Sequence, residues 1–240
     1  SIMKFRKTGE KQDLHPVKTA LVLSGGGAKG AYQVGVIKEL LDRGVNFDLV
    51  TGSSIGAFNG ALLAEFLNRG LDRKEVGDKL IQVWKQVDGL LPINWDGFIK
   101  NILQPFSIPS IFSSKAIEDV LHNYIPEKRK LCEYNRCQLS ITSTNINKYE
   151  LEVFDYNSKP DVIQAVKASM AYPVAYPAVQ IDGDNYIDGG TLNNTPLKEA
   201  ILWGARQIYV VFLSPLSTID GPNADDKITE ELPAIKVLEI

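Results

Sequence analysis

The chain has 240 residues, 44% of them hydrophobic, enough to bury one substantial core, and α/β domains of about 200–250 residues commonly form a single unit. Its 26 Lys and Arg stand against 29 Asp and Glu, and a net charge of −3 gives no electrostatic reason to expect a nucleic-acid partner. No run approaches the roughly 20 apolar residues that span a bilayer, and residues 1–16 form a polar arm without the apolar stretch of a signal peptide, so the expected location is cytoplasmic.

Residues 19–23 read as a buried strand, because a short continuous apolar run ending in glycines fits a parallel sheet covered on both faces. Past the glycines, Val34, Ile37 and Leu41 recur at helical spacing within residues 31–43, and Gly44 is placed to end that helix. Residues 47–51 are the second strand candidate, and Ile55, Phe58, Leu62 and Phe66 start a second helix whose Ala57, Ala61 and Ala64 allow close packing on a sheet. A third helix over residues 73–87 carries Val76, Leu80, Val83 and Val87 on one stripe. From 88 to 113 the periodicity breaks into an apolar insertion with Trp95, Phe98, Phe106 and Phe112 among prolines. Such a segment either completes the core or forms a cap that lines an acyl-chain groove or makes peripheral membrane contact.

Ser114 is placed to N-cap a helix carrying Ile117, Val120, Leu121 and Tyr124. Residues 137–144 and 149–154 read as strands, the second alternating with period 2. Residues 161–169 look helical, and residues 178–181 and 186–188 flank Asp182-Gly183-Asp184-Asn185 as a hairpin. Thr195 as N-cap and Pro196 as first helical residue open a helix ended by Gly204, residues 207–213 supply another buried strand, and the polar tail is expected to carry a short helix near its end. Cys132 and Cys137 lack the companions of a zinc site or a disulfide framework and read as buried thiols.

Two glycine-bracketed turns carry the chemistry. Gly52-Ser53-Ser54-Ile55-Gly56 has the G-x-S-x-G form, in which glycines flank a serine on a tight strand-to-helix bend so that its hydroxyl stands above the sheet. Ser54 is therefore the candidate nucleophile. Gly25-Gly26-Gly27-Ala28-Lys29-Gly30 also follows a strand, which brings both loops to the rim where open α/β sheets place ligand sites. The usual histidine base is missing: His15 lies in the polar arm, and His122 falls inside an amphipathic helix as a surface or structural residue. A base for Ser54 should then be a carboxylate or a lysine. Asp188 ends a β-like run before Gly189-Gly190, which leaves its carboxylate free to point across the rim, an Asx-turn role being the alternative. With an ordinary pKa near about 3.9 it needs a water-poor site and a direct hydrogen bond to act as a base at neutral pH.

These two turns, with Ala168-Ser169-Met170-Ala171-Tyr172-Pro173 and Asp188-Gly189-Gly190, resemble the four ordered motifs of the patatin-like phospholipases over residues 18–211. The resemblance implies a three-layer α/β/α sandwich with a central, mostly parallel sheet, a Ser54–Asp188 dyad and hydrolysis of acyl esters in lipids. It makes Gly25, Gly26 and Gly27 an oxyanion loop whose N–H groups face the developing alkoxide, and gives Lys29 the family's basic position, a solvated surface lysine being the other reading. The catalytic domain would cover residues 17–214 with the insertion at 88–113, between the arm 1–16 and the tail 215–240. The partner implied is a lipid or ester substrate. No metal or cofactor is implied; some members depend on calcium or a host factor, and nothing in these residues argues for or against one.

Two rival readings share these residues. Gly25-x-Gly27-x-x-Gly30 also matches the dinucleotide fingerprint of an oxidoreductase, but that fold needs an acid at the end of the second strand, where this chain has Val50-Thr51-Gly52, with Asp48 near the strand's start. A non-catalytic lipid-binding scaffold has no physical need for both Ser54 and Asp188.

Overall fold

The computed structural model describes residues 16–90, 114–173, 176–213 and 234–238. Eight strands form one sheet: Thr19–Leu23 (β1), Leu49–Ser53 (β2), Gln138–Asn145 (β3), Glu150–Phe154 (β4), Val179–Ile181 (β5), Asp184–Asp188 (β6), Gln207–Val211 (β7) and Ala234–Leu238 (β8). The order runs β5-β6-β3-β2-β1-β7-β8, with β4 also on β3. β3, β2, β1, β7 and β8 are mutually parallel, while β4 and β6 run antiparallel to β3 and β5 antiparallel to β6. The helices are Gly30–Asp42 (α1), Ile55–Asn68 (α2), Arg73–Leu90 (α3), Ser114–Tyr124 (α4), Val162–Met170 (α5) and Leu197–Leu202 (α6).

The side-chain alternation of a strand divides the core into two. Leu21, Leu23 and Val50 face one side, where they pack with Val34 and Ile37 of α1, Phe58 and Leu62 of α2, and Leu80 and Val83 of α3. Ala20, Val22, Leu49, Ile208 and Val210 face the other, against Ala200 of α6 and Trp203. Three layers result, α/β/α, as expected. α2 is buried on every side from Ile55 to Leu67, so its polar residues must find partners inside. Glu65 does so with Arg69 at 2.7 Å, Arg129 at 3.1 Å and the Tyr134 hydroxyl at 2.9 Å.

Several expectations are corrected. β2 starts at Leu49 rather than residue 47, because the Asp48 carboxylate is bonded by the N–H groups of Lys18 and Thr19 ahead of the ladder, and it continues to Ser53. α3 continues past residue 87 to Leu90. Residues 91–113, the bulk of the expected apolar insertion, and residues 1–15 with His15 lie outside the described residues. Pro196, not Thr195, holds the cap position of α6, since the Leu197 N–H bonds the Thr195 backbone carbonyl and no side chain caps the helix. Cys132 is exposed while Cys137 is buried: the short turn Leu131–Glu133 turns Leu131 inward and its neighbour outward. The tail contributes a strand in place of the expected helix, with β8 pairing parallel to β7 along its outer edge. Among the described residues no helix is long and apolar enough to cross a membrane.

Candidate active site

β2 delivers its last paired residue, Ser53, and the chain turns at Ser54 with φ 53° and ψ −123° before α2 begins at Ile55. A non-glycine residue at positive φ is strained and persists only where its surroundings fix it. The two glycines of the turn explain how. A Cβ on Gly52 would lie 2.4 Å from the Gly56 carbonyl oxygen, and a Cβ on Gly56 would lie 2.3 Å from the Leu23 carbonyl oxygen. The first turn of α2 is thus pressed onto β2 and β1 backbone, leaving Ser54 half-buried at the carboxyl end of the parallel strands.

Asp188 reaches Ser54 through strand register. β4 occupies one edge of β3 from Ile141 to Asn145, so β2 and β6 must share the other. β2 pairs as far as Ser53 opposite Thr142, and β6 takes over with Asp188 opposite Ser143. The two strands meet end to end, and Ser54 Oγ donates to Asp188 Oδ2 at 2.6 Å. The other carboxylate oxygen accepts the Gly190 N–H at 2.7 Å, which is the Asx-type turn that had stood as the alternative. The two hydrogen bonds coexist, one on each oxygen. Asp188 is only 5% exposed, and this burial pushes its carboxyl above the ordinary value, with the bonds from Ser54 and Gly190 pulling the other way.

Ser169 fixes the elbow from below. Its fully buried hydroxyl accepts the Ser54 N–H at 2.8 Å and donates to the Thr142 carbonyl at 2.7 Å, tying α5 to the turn and to β3. The glycine loop approaches from β1. Gly25 is buried and its N–H donates to the Asn194 carbonyl at 3.0 Å. Gly26 and Gly27 are exposed, and neither N–H is paired among the described residues. Gly27 is required by its φ of +57° rather than by crowding, since a Cβ there would meet nothing within 4 Å. Lys29 is half-buried, and its ammonium donates to the Leu213 carbonyl at 3.1 Å. A buried polar chain supports the loop's base, with Trp84 Nε1 donating to Asn59, Asn59 to Gln33, and Gln33 to the Ser24 carbonyl at 2.7 Å.

The structure therefore brings together Ser54, Asp188 and Gly25, and adds Ser169 and Asn194, which sequence reasoning had not given roles. His122 stands exposed on α4, 3.7 Å from Glu118. Asp48, the acid weighed in the nucleotide reading, lies at the amino-terminal rim of the sheet, opposite the glycine loop. A cleft of about 770 Å³ opens at that rim between Leu41, Phe47, Asp48, Leu71 and Arg136 and touches no residue of the elbow. Among the described residues no three His, Cys, Asp or Glu side chains gather as a metal-binding group.

The patatin-like phospholipase model matches residues 21–201, an interval that runs from β1 into α6 and contains every residue of this site. The chain belongs to that family. Patatin-like phospholipase domain-containing protein 7 of Mus musculus is 29% identical over 213 residues, covering 88% of this chain and 14% of that protein. Lysophospholipase nte1 of Aspergillus terreus is 31% identical over 197 residues, 80% of this chain and 12% of that protein. The chain thus spans a small fraction, 12% to 14%, of the length of these curated relatives. Among solved structures, VipD from Legionella pneumophila shares the fold with a TM-score of 0.50 and 20% identity, over 85% of this chain and 52% of that one.

Proposed function

We propose that the chain is a lipid acyl hydrolase of phospholipase A type that works through a Ser54–Asp188 dyad. The 2.6 Å bond from Ser54 Oγ to a buried carboxylate carries this reading, because it pairs a strained nucleophile with a base of raised proton affinity. Ser54 Oγ attacks the ester carbonyl carbon as Asp188 Oδ2 takes the hydroxyl proton. The carbonyl oxygen becomes an alkoxide facing the Gly26 and Gly27 N–H groups and the amino-terminal end of α2, whose dipole adds positive potential. Collapse breaks the ester C–O bond; the alcohol leaves with the proton from Asp188, and the acyl group stays on Ser54. Water then attacks the acyl-serine as Asp188 accepts its proton, which returns to Ser54 as the fatty acid departs.

Family membership and relatives named as lysophospholipases support a lipid substrate. The test is fatty-acid release from lysophosphatidylcholine and from diacyl phosphatidylcholine vesicles, read by chromatography. Wild type is expected to release acid while Ser54→Ala and Asp188→Asn do not. Equal release by all three would remove the dyad, and release by none would remove the phospholipase reading.

A further inference from the structure

We propose that Asn194 is a positioning residue for the glycine loop, an inference that rests on the acyl-hydrolase reading above. Two hydrogen bonds in opposite directions join it to Gly25: the Gly25 N–H donates to the Asn194 backbone carbonyl at 3.0 Å, and Asn194 Nδ2 donates to the Gly25 carbonyl at 3.3 Å. The peptides on both sides of Gly25 are held: the second carries the Gly26 N–H, and the peptide after it carries that of Gly27, both unpaired among the described residues, so the orientation of these donors depends on the clamp. A register error there moves the donors relative to Ser54.

The carboxamide also lies at the corner where three motifs meet. A Cβ on Gly25 would lie 2.3 Å from Asn194 Oδ1 and 3.1 Å from Ser54 Cβ; one on Gly190 would lie 2.7 Å from Asn194 Oδ1 and 2.9 Å from Asp188 Oδ1. Asn194 Oδ1 therefore lies against Gly25 and Gly190, beside both dyad residues. Its own support is rigid. Upstream, the Asn193 N–H bonds the Gly189 carbonyl at 2.9 Å; downstream, Thr51 Oγ1 of β2 donates to the Pro196 carbonyl at 3.1 Å. The segment is anchored to the Asp188 turn and to the strand that leads into Ser54, so Asn194 transmits the position of the dyad to the donors opposite. The task needs an amide: aspartate loses the donor to Gly25, and alanine loses donor and wedge together.

The experiment uses the full chain with p-nitrophenyl butyrate as substrate, an alkyl trifluoromethyl ketone as tetrahedral-adduct inhibitor, and a fluorophosphonate to label the nucleophile. For Asn194→Ala, kcat is expected to fall about 10²-fold with KM unchanged, the loss typical of a donor misplaced by about 1 Å. Ketone inhibition should weaken by the same factor, because it reads alkoxide stabilisation. Asn194→Asp, of equal size, is expected to show the same split and decides the matter if the alanine variant does not fold. Wild-type kcat and ketone affinity in both variants, or a kcat loss with ketone affinity intact, would overturn the proposal while wild-type labelling at Ser54 left the hydrolase reading standing. An unlabelled wild type would remove both.

Discussion

Ser54 and Asp188 meet because the strands that bring them share one edge of β3, β2 leaving at Thr142 and β6 arriving at Ser143. The Ser54–Asp188 hydrogen bond is thus a consequence of sheet register, and neither residue depends on a flexible loop for its placement. For the mechanism proposed above rigid placement matters, because a carboxylate is a weak base in water and burial raises its proton affinity.

The pH dependence follows from that burial. A carboxyl whose pKa is raised on folding stabilises the protein below its unfolded value, and this contribution is lost as pH rises through the folded value. Ionised Asp188 is then a cost at neutral pH, so Asp188→Asn is expected to raise the urea midpoint at pH 7, with the gain disappearing at acid pH. Since the proposed mechanism needs the ionised form, the acid limb of kcat should lie above the ordinary aspartate value. A limb below it, or no stability gain at pH 7, would contradict the burial argument.

Removing the Ser169 hydroxyl leaves the Ser54 N–H and the Thr142 carbonyl without their shared partner in a dry interior. Ser169→Ala is expected to cost about 1–3 kcal/mol, read as a lower urea midpoint with unchanged slope, and to reduce kcat because Ser54 can relax from its positive φ.

The glycines of the chain differ sharply in what they tolerate. Gly52→Ala and Gly56→Ala each drive a Cβ into backbone at 2.4 and 2.3 Å and are expected to abolish soluble folded protein. Gly35, inside α1 with open space around it, should accept alanine with a gain of about 0.5–1 kcal/mol. Thermal unfolding of the three variants distinguishes a packing requirement from a general glycine effect.

Glu65 is fully buried, and its two arginines are unequal: Arg129 is 22% exposed and Arg69 41%. Arg129→Met should cost about 3 kcal/mol, as expected when a buried charge loses its partner, and Arg69→Met about 1 kcal/mol, closer to a surface pair. Equal losses would contradict the difference in burial as the cause.

What could be read from the sequence was local. The apolar runs before each glycine turn located β1 and β2, and G-x-S-x-G and Asp188-Gly189-Gly190 singled out the pair that the register then joins. The supporting roles were not legible, because Ser169 bonds Ser54 at a separation of 115 residues and Asn194 bonds Gly25 at 169. No local pattern records such pairs. The resemblance implied one donor role for Gly25, Gly26 and Gly27 alike, and no local pattern records that the Gly25 N–H is bonded to the Asn194 carbonyl. β8 was missed for a related reason: its strand character comes from pairing with β7, and a short Ala-Ile-Lys-Val-Leu run at a sheet edge carries little periodicity of its own.

The most direct test of the Ser54–Asp188 assignment is intact and peptide mass spectrometry after brief exposure to a fluorophosphonate, comparing wild type with Ser54→Ala and Asp188→Asn. One adduct is expected, on Ser54, formed in wild type, absent in Ser54→Ala and strongly slowed in Asp188→Asn. An adduct on another residue, or labelling of Ser54 at an equal rate without the Asp188 carboxylate, would contradict the assignment.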